Sequence, residues 1–222
     1  MGIVVKQSAY NSVIILFGFL IGGITTIFVL PNVFSGEKDS LLGGLQLLLS
    51  YSIVLSEFLS FGGGKIAIFY LERTRQSGQL GSLNRLLFGV MAAGTLLMAA
   101  AVFLPELWEN LTAEGKDSQL YKNLDVLFVL TIGGILHKVS SGYMHALLRT
   151  VVPTLLSEVI VRLLSLCAVV LYAADYLLFD ELLWAYAGIY IMPGLVQLFL
   201  VGTDVKKMTS NGNSRTREML VY

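Results

Sequence analysis

SAYNSVIILFGFLIGGITTIFVL, from Ser8 to Leu30, sits inside thirty consecutive uncharged residues between Lys6 and Glu37. A helix needs about twenty apolar residues to cross roughly 30 Å of hydrocarbon, so this stretch predicts a membrane span. No small-x-small cleavage site follows it, so the segment is expected to stay as a first helix rather than leave as a signal peptide. Five similar stretches follow, at residues 41–64, 86–104, 124–145, 153–174 and 182–203. A hydrophobic fraction of 55% against a charged fraction of 14% leaves too little polar surface to cover a water-soluble globule of 222 residues.

The charges between the stretches set the orientation. Numbering the gaps in order, one side of the membrane holds twelve of the fifteen basic residues and five acidic ones; the other holds ten acidic and three basic. Basic residues near span ends are retained in the cytoplasm, so the basic side is inside and both termini are cytoplasmic. The expected fold class is all-α, a polytopic membrane bundle of six transmembrane helices, N-in and C-in. Residues 1–205 form the six-helix lobe and residues 206–222 a cytoplasmic tail.

Spans one, three and six are nearly free of charge, so lipid can surround most of each. The other three are not: span two carries Glu57 and Lys65, span four His137 and Lys138, span five Glu158 and Arg162. An ionised group at mid-bilayer costs about 2.5–3.5 kcal/mol on insertion scales and must face protein or water. Spans two, four and five are therefore expected to share a polar interior. All six groups fall in the cytoplasmic half, which describes a cavity opening inward. Three cations against two carboxylates favour an anionic head group there. Glu158 and Arg162 stand four apart, in the order of an intrahelical ion pair that is either functional or merely self-neutralising. Lys65 lies at the inner end of its span, where it lines the cavity or snorkels to lipid phosphates. His137 and Lys138 point to different helix faces, so one of them at most is expected to line the cavity.

Other motifs carry less. Gly62, Gly63, Gly64 and Lys65 imitate the end of a phosphate-binding loop, but its first glycine falls at Leu59 and Ile66 follows the lysine. The glycines instead predict a loosened inner end of span two, where a helix breaks only if protein or water satisfies its backbone. Gly18 and Gly22 form a GxxxG that permits close helix packing. Asn110-Leu111-Thr112 is a glycosylation triplet of a kind common by chance. Cys167 is the only cysteine, excluding an internal disulfide, and reads as a small apolar filler of span five. His137 and His145 have no metal-binding spacing, so no metal site is expected. No clustered aspartates or Ser-Lys or Ser-His arrangement marks an intramembrane enzyme. Neither a cofactor nor a nucleic-acid partner is expected.

The opening Met1–Ser8 (MGIVVKQS), the segment FGGGKIAIFYLER from Phe61 to Arg73 and above all GYMHALLRTVVPTLLSEVIVRLL from Gly142 to Leu164 resemble the polysaccharide and O-antigen flippases of the multidrug/oligosaccharidyl-lipid/polysaccharide exporter superfamily. The resemblance covers the whole chain, on apolar and turn patterns rather than a catalytic signature. It implies one lobe of a two-lobed exporter that moves lipid-linked oligosaccharide across the bacterial cytoplasmic (inner) membrane by alternating access. Six being even, a second lobe would enter the membrane in the same orientation. The tail from Ser214 to Tyr222 resembles the segment leading to a seventh helix. The chain is accordingly expected to be the N-terminal part of a longer protein, or else to rebuild the cavity as a homodimer. On this resemblance Arg162 and Lys138 are the leading candidates for contacting a lipid-linked pyrophosphate, with Lys65 and His137 beside them, and Glu57 and Glu158 are candidates for gating or ion coupling. The expected partners are a lipid-linked anionic glycan and the membrane lipids. A multidrug/cation exporter lobe of the same superfamily is one alternative, although span one lacks the acidic residue that it calls for. A non-transporting membrane assembly protein, which needs no cavity, is the other.

Overall fold

A computed structural model describes residues 3–36, 39–77, 80–104 and 119–210. All regular structure among them is helical. Six helices are long and apolar enough to cross a membrane: Val5–Val33, Asp39–Thr74, Gly81–Val102, Leu124–Ala146, Val151–Ala173 and Phe179–Thr203. These are spans one to six of an all-α, multi-pass membrane protein, and each overlaps its predicted stretch. The triplet at Asn110, most of the acidic loop around it and the tail beyond residue 210 lie outside the described residues.

Span four is the central post, packed against spans two, three and six. Lipid tails are as apolar as leucine, so helices associate through close van der Waals contact, and small residues allow it. A Cβ on Gly134 would stand 2.6 Å from the Ser56 side chain, one on Gly133 2.8 Å from the Ile191 Cα, and one on Gly142 2.2 Å from the Gly64 Cα. Most of span six stays open to lipid, as its lack of charge suggested, but one face is packed: Leu182, Leu183, Ala187 and Gln197 are fully buried. Span one meets the expectation, with Phe17, Phe19, Leu20 and Phe28 all exposed. Cys167 is exposed too, facing away from the bundle rather than filling it.

Two apolar cores result, and they differ in membership. The core near the acidic side takes Leu45 and Leu48 from span two, Met98 from span three, Leu127 and Leu130 from span four, Val169 and Tyr172 from span five, and Leu182 and Leu183 from span six. Phe34, just past span one, closes it by stacking on Tyr172 with ring centroids 5.2 Å apart. The core near the basic side is built from Ala67, Leu71, Leu83, Leu87, Met91, Ile135, Val139 and Tyr143, with Leu198 and Val201 against it. Among the described residues it has no member from spans one and five. Those two helices pair with each other and join the rest through the core near the acidic side.

Span two is broken, as its glycines predicted. Helix Asp39–Leu59 ends, Phe61 and Gly62 take positive φ values of 46° and 66°, and helix Gly63–Gln76 begins. Ser52, Ser56 and Ser60 recur on the buried face and donate to the carbonyls of Leu49, Ile53 and Glu57 at 2.8–2.9 Å. Their hydroxyls thus meet main-chain acceptors where hydrocarbon offers none. The left-handed region costs about 1–2 kcal/mol for any residue with a Cβ, more when it is β-branched. Gly62→Val should therefore lower the thermal unfolding midpoint in detergent, whereas Phe61→Gly should hold or raise it; equal behaviour of the two would show that this turn is unstrained.

Spans one and five each contain a π-helical turn, Thr25–Val29 and Leu155–Ile160. Each stands two residues from a proline, Pro31 and Pro153 respectively. A proline lacks the N–H and its ring crowds the carbonyl one turn back; the π turn before Pro31 lies where a widened turn absorbs both effects, whereas the π turn of span five follows Pro153. Nearby side chains bond the main-chain carbonyls: Thr25 Oγ1 donates to Ile21 at 2.8 Å, Asn32 Nδ2 to Phe28 at 2.7 Å and Ser157 Oγ to Pro153 at 3.0 Å.

Candidate functional site

The break in span two exposes the half of span four nearer the basic side, and a recess of about 280 Å³ opens there. Its walls carry Glu57, Ser60, Gly62, Gly64 and Lys65 from span two and His137, Lys138, Ser141, Gly142 and His145 from span four. Gly64 against Gly142 draws the two helices together at its floor. Lys138 Nζ forms an ion pair with Glu57, whose side chain stays 66% exposed, so the pair sits at the open side of the recess. Lys65 lies close enough for its charge to act on Glu57, yet among the described residues it forms no ion pair. With Glu57 matched by Lys138, Lys65 leaves the recess one positive charge in excess, beside two imidazoles.

His137 and Lys138 both line this recess, contrary to the expectation that one at most would do so. The recess wraps around positions 137, 138, 141, 142 and 145 and so takes in more than a single helix stripe. His137 is held from the other side. Its Nδ1 stands 3.1 Å from Nε2 of Gln197 on span six, whose Oε1 stands 3.1 Å from Ser140 Oγ. Gln197 is fully buried between spans four and six.

The remaining two charged candidates are elsewhere. Arg162 NH2 pairs with Glu158 Oε2 at 2.6 Å, and NH1 donates to the Gly18 carbonyl of span one at 2.7 Å. The GxxxG of span one is in register with this pair: a Cβ on Gly18 would fall 2.4 Å from the Glu158 carbonyl, and one on Gly22 2.7 Å from Arg162 NH1. Asn11 adds a second tie, Nδ2 donating to Thr150 Oγ1 at 2.8 Å. Spans two, four and five thus do not share one polar interior. Two polar clusters exist, a recess between spans two and four and a clasp between spans one and five.

Compared with protein-family models, curated proteins and solved structures, the chain matches none. Its functional reading rests on the two clusters themselves. Of their members, Gln197, Ser140 and Ser141 carry no charge and escaped a search for ionisable groups. The available signal was a lone glutamine in an apolar span, where an amide needs a partner to avoid stranding its polar atoms.

Proposed function

We propose that the chain is a flippase-like transport lobe whose recess receives the anionic head group of a lipid-linked oligosaccharide or polysaccharide precursor. The observation that carries this reading is the convergence of Lys65, Lys138, His137 and His145 on one void in the half of the bundle nearer the basic side. Its volume is close to the lower end of ligand pockets, about 300–1,000 Å³, which suits a pyrophosphate rather than a whole glycan. Cation–phosphate pairing is charge-assisted, and the protein wall of the recess lowers the dielectric on one side of it. Lys65 is the principal contact, because its charge is unspent, and Lys138 follows on exchanging Glu57 for phosphate. Glu57 then acts as the gate that reclaims Lys138 when the site empties. Arg162 and Glu158 hold span one rather than substrate. The membrane concerned is the bacterial cytoplasmic membrane, and a second lobe or second copy supplies the opposite wall of the path.

The test is a vesicle assay with a fluorescent polyprenyl-pyrophosphate oligosaccharide, following the rate at which inner-leaflet probe reaches an external quencher. Protein should accelerate the exchange over protein-free vesicles. Lys65→Gln should cut it at least tenfold, since the variant leaves no partner stranded, and Lys65→Arg should retain most of it. Wild-type vesicles no faster than empty ones would sink the reading.

A second reading, a non-transporting assembly protein, draws on the closure of both carboxylates into internal ion pairs. It differs in expecting Lys65→Cys, in a Cys167→Ser background, to resist water-borne thiol reagents.

A further inference from the structure

The polar chain Ser140, Gln197, His137 contains a conflict over a single proton. Ser140 Oγ lies 2.5 Å from the Leu136 carbonyl, 3.3 Å from the His137 carbonyl and 3.1 Å from Gln197 Oε1. All three are acceptors, and a hydroxyl has one hydrogen to give. Two oxygens at 2.5 Å repel unless a proton lies between them, so the hydroxyl hydrogen belongs to Leu136. Ser140 is then an acceptor toward Gln197, and an amide oxygen facing it would leave two lone pairs opposed in a fully buried site.

Turning the Gln197 amide by 180° resolves this, since the oxygen and nitrogen of a glutamine are assigned from their hydrogen bonds. The nitrogen then donates to Ser140 Oγ and the oxygen faces His137 Nδ1. An amide oxygen beside a ring nitrogen requires that nitrogen to carry hydrogen. We propose that Gln197, oriented by Ser140, fixes His137 as the Nδ1–H tautomer, so that the His137 Nε2 lone pair serves the recess as a proton-binding site. The second tautomer would make Nε2 a fixed donor.

The functional meaning rests on the head-group reading above. The groups around His137 are Lys138 and His145 on its own helix, Glu57 and Lys65 on span two, and the uncharged Gln197 on span six. Lys138, the next residue, opposes a further positive charge there, and an entering phosphate reverses that balance. A proton from the water of the recess then adds to Nε2, giving an imidazolium that keeps its Nδ1–H on Gln197 and donates the new N–H to phosphate. When the anion leaves, the proton returns to water. His137 is thus the coupling group, in place of the carboxylates, while Gln197 and Ser140 are positioning residues.

The chain has two histidines, so protein carrying ¹⁵N-histidine and His145→Gln reports on His137 alone. In lipid nanodiscs without ligand, at a pH where the ring is neutral, Nδ1 should give the protonated and Nε2 the unprotonated resonance. Gln197→Leu removes the acceptor, and Ser140→Ala removes the group that orients it. Each should lower the Nδ1–H to Nε2–H ratio about fivefold, the factor one net hydrogen bond is worth. Ser141→Ala, which also lines the recess, should leave the ratio unchanged. A protonated Nε2 in the parent protein, or a ratio indifferent to both variants, would overturn the proposal. Since no substrate is present, failure of the transport assay leaves this result standing, and the reverse holds as well.

Discussion

Gly142→Ala is expected to lower the thermal unfolding midpoint of the detergent-solubilised protein by about 6–12 °C. The added methyl would stand 2.2 Å from the Gly64 Cα and 2.4 Å from its carbonyl oxygen, so the obstacle is backbone and cannot swing aside. Overpacking of this kind costs about 3 kcal/mol at the upper end of its usual range, and each kcal/mol moves a chain of this size by about 2–4 °C. The strain falls on the floor of the recess, and separating spans two and four there should also widen it. Gly89→Ala is the matched control. No atom lies within 4 Å of a Cβ at Gly89, and its helical setting should make alanine neutral or slightly stabilising. Equal midpoints for the two variants would mean that spans two and four do not meet as described.

Arg162→Met carries the second large effect. It removes the partner of Glu158 near the middle of span five and also the donor to the Gly18 carbonyl. Breaking a buried pair costs about 3–5 kcal/mol, and with both side chains about one-third exposed a figure of about 2 kcal/mol is appropriate. Adding Glu158→Gln should restore most of that loss, because the stranded carboxylate rather than the missing arginine is the main penalty. Denaturation in mixed micelles measures the cycle. A double variant as unstable as Arg162→Met alone would transfer the effect to the Gly18 contact.

The spans and their order were legible because an uncharged run long enough to cross the bilayer has few other uses. The pairing of Glu158 with Arg162 was legible too, since spacing within a helix fixes which residues share a face. Spacing says nothing of which helix lies opposite. Gly18 and Gly22 were visible as a packing motif, yet their match with Glu158 and Arg162 depends on how span five is wound, including the π turn at Leu155–Ile160. For the same reason six intramembrane ionisable groups looked like one cavity and proved to be two clusters. The break in span two was read from its glycines, but the helix resumes as far as Gln76, well past the predicted end at residue 64. Hydropathy ended the span just before Lys65, while Ala67 and Leu71 continue it by joining the core near the basic side. The Gln197 amide went unseen because one uncharged polar residue scarcely alters the hydropathy of span six.

The clasp between spans one and five also sets a timetable. Gly18 and Arg162 are 144 positions apart. At about 5–20 residues per second, the ribosome needs on the order of ten seconds or more to travel from one to the other. For that interval span one waits in the bilayer with its glycine notch vacant, and the helix made first finds its main partner only once the fifth has been made.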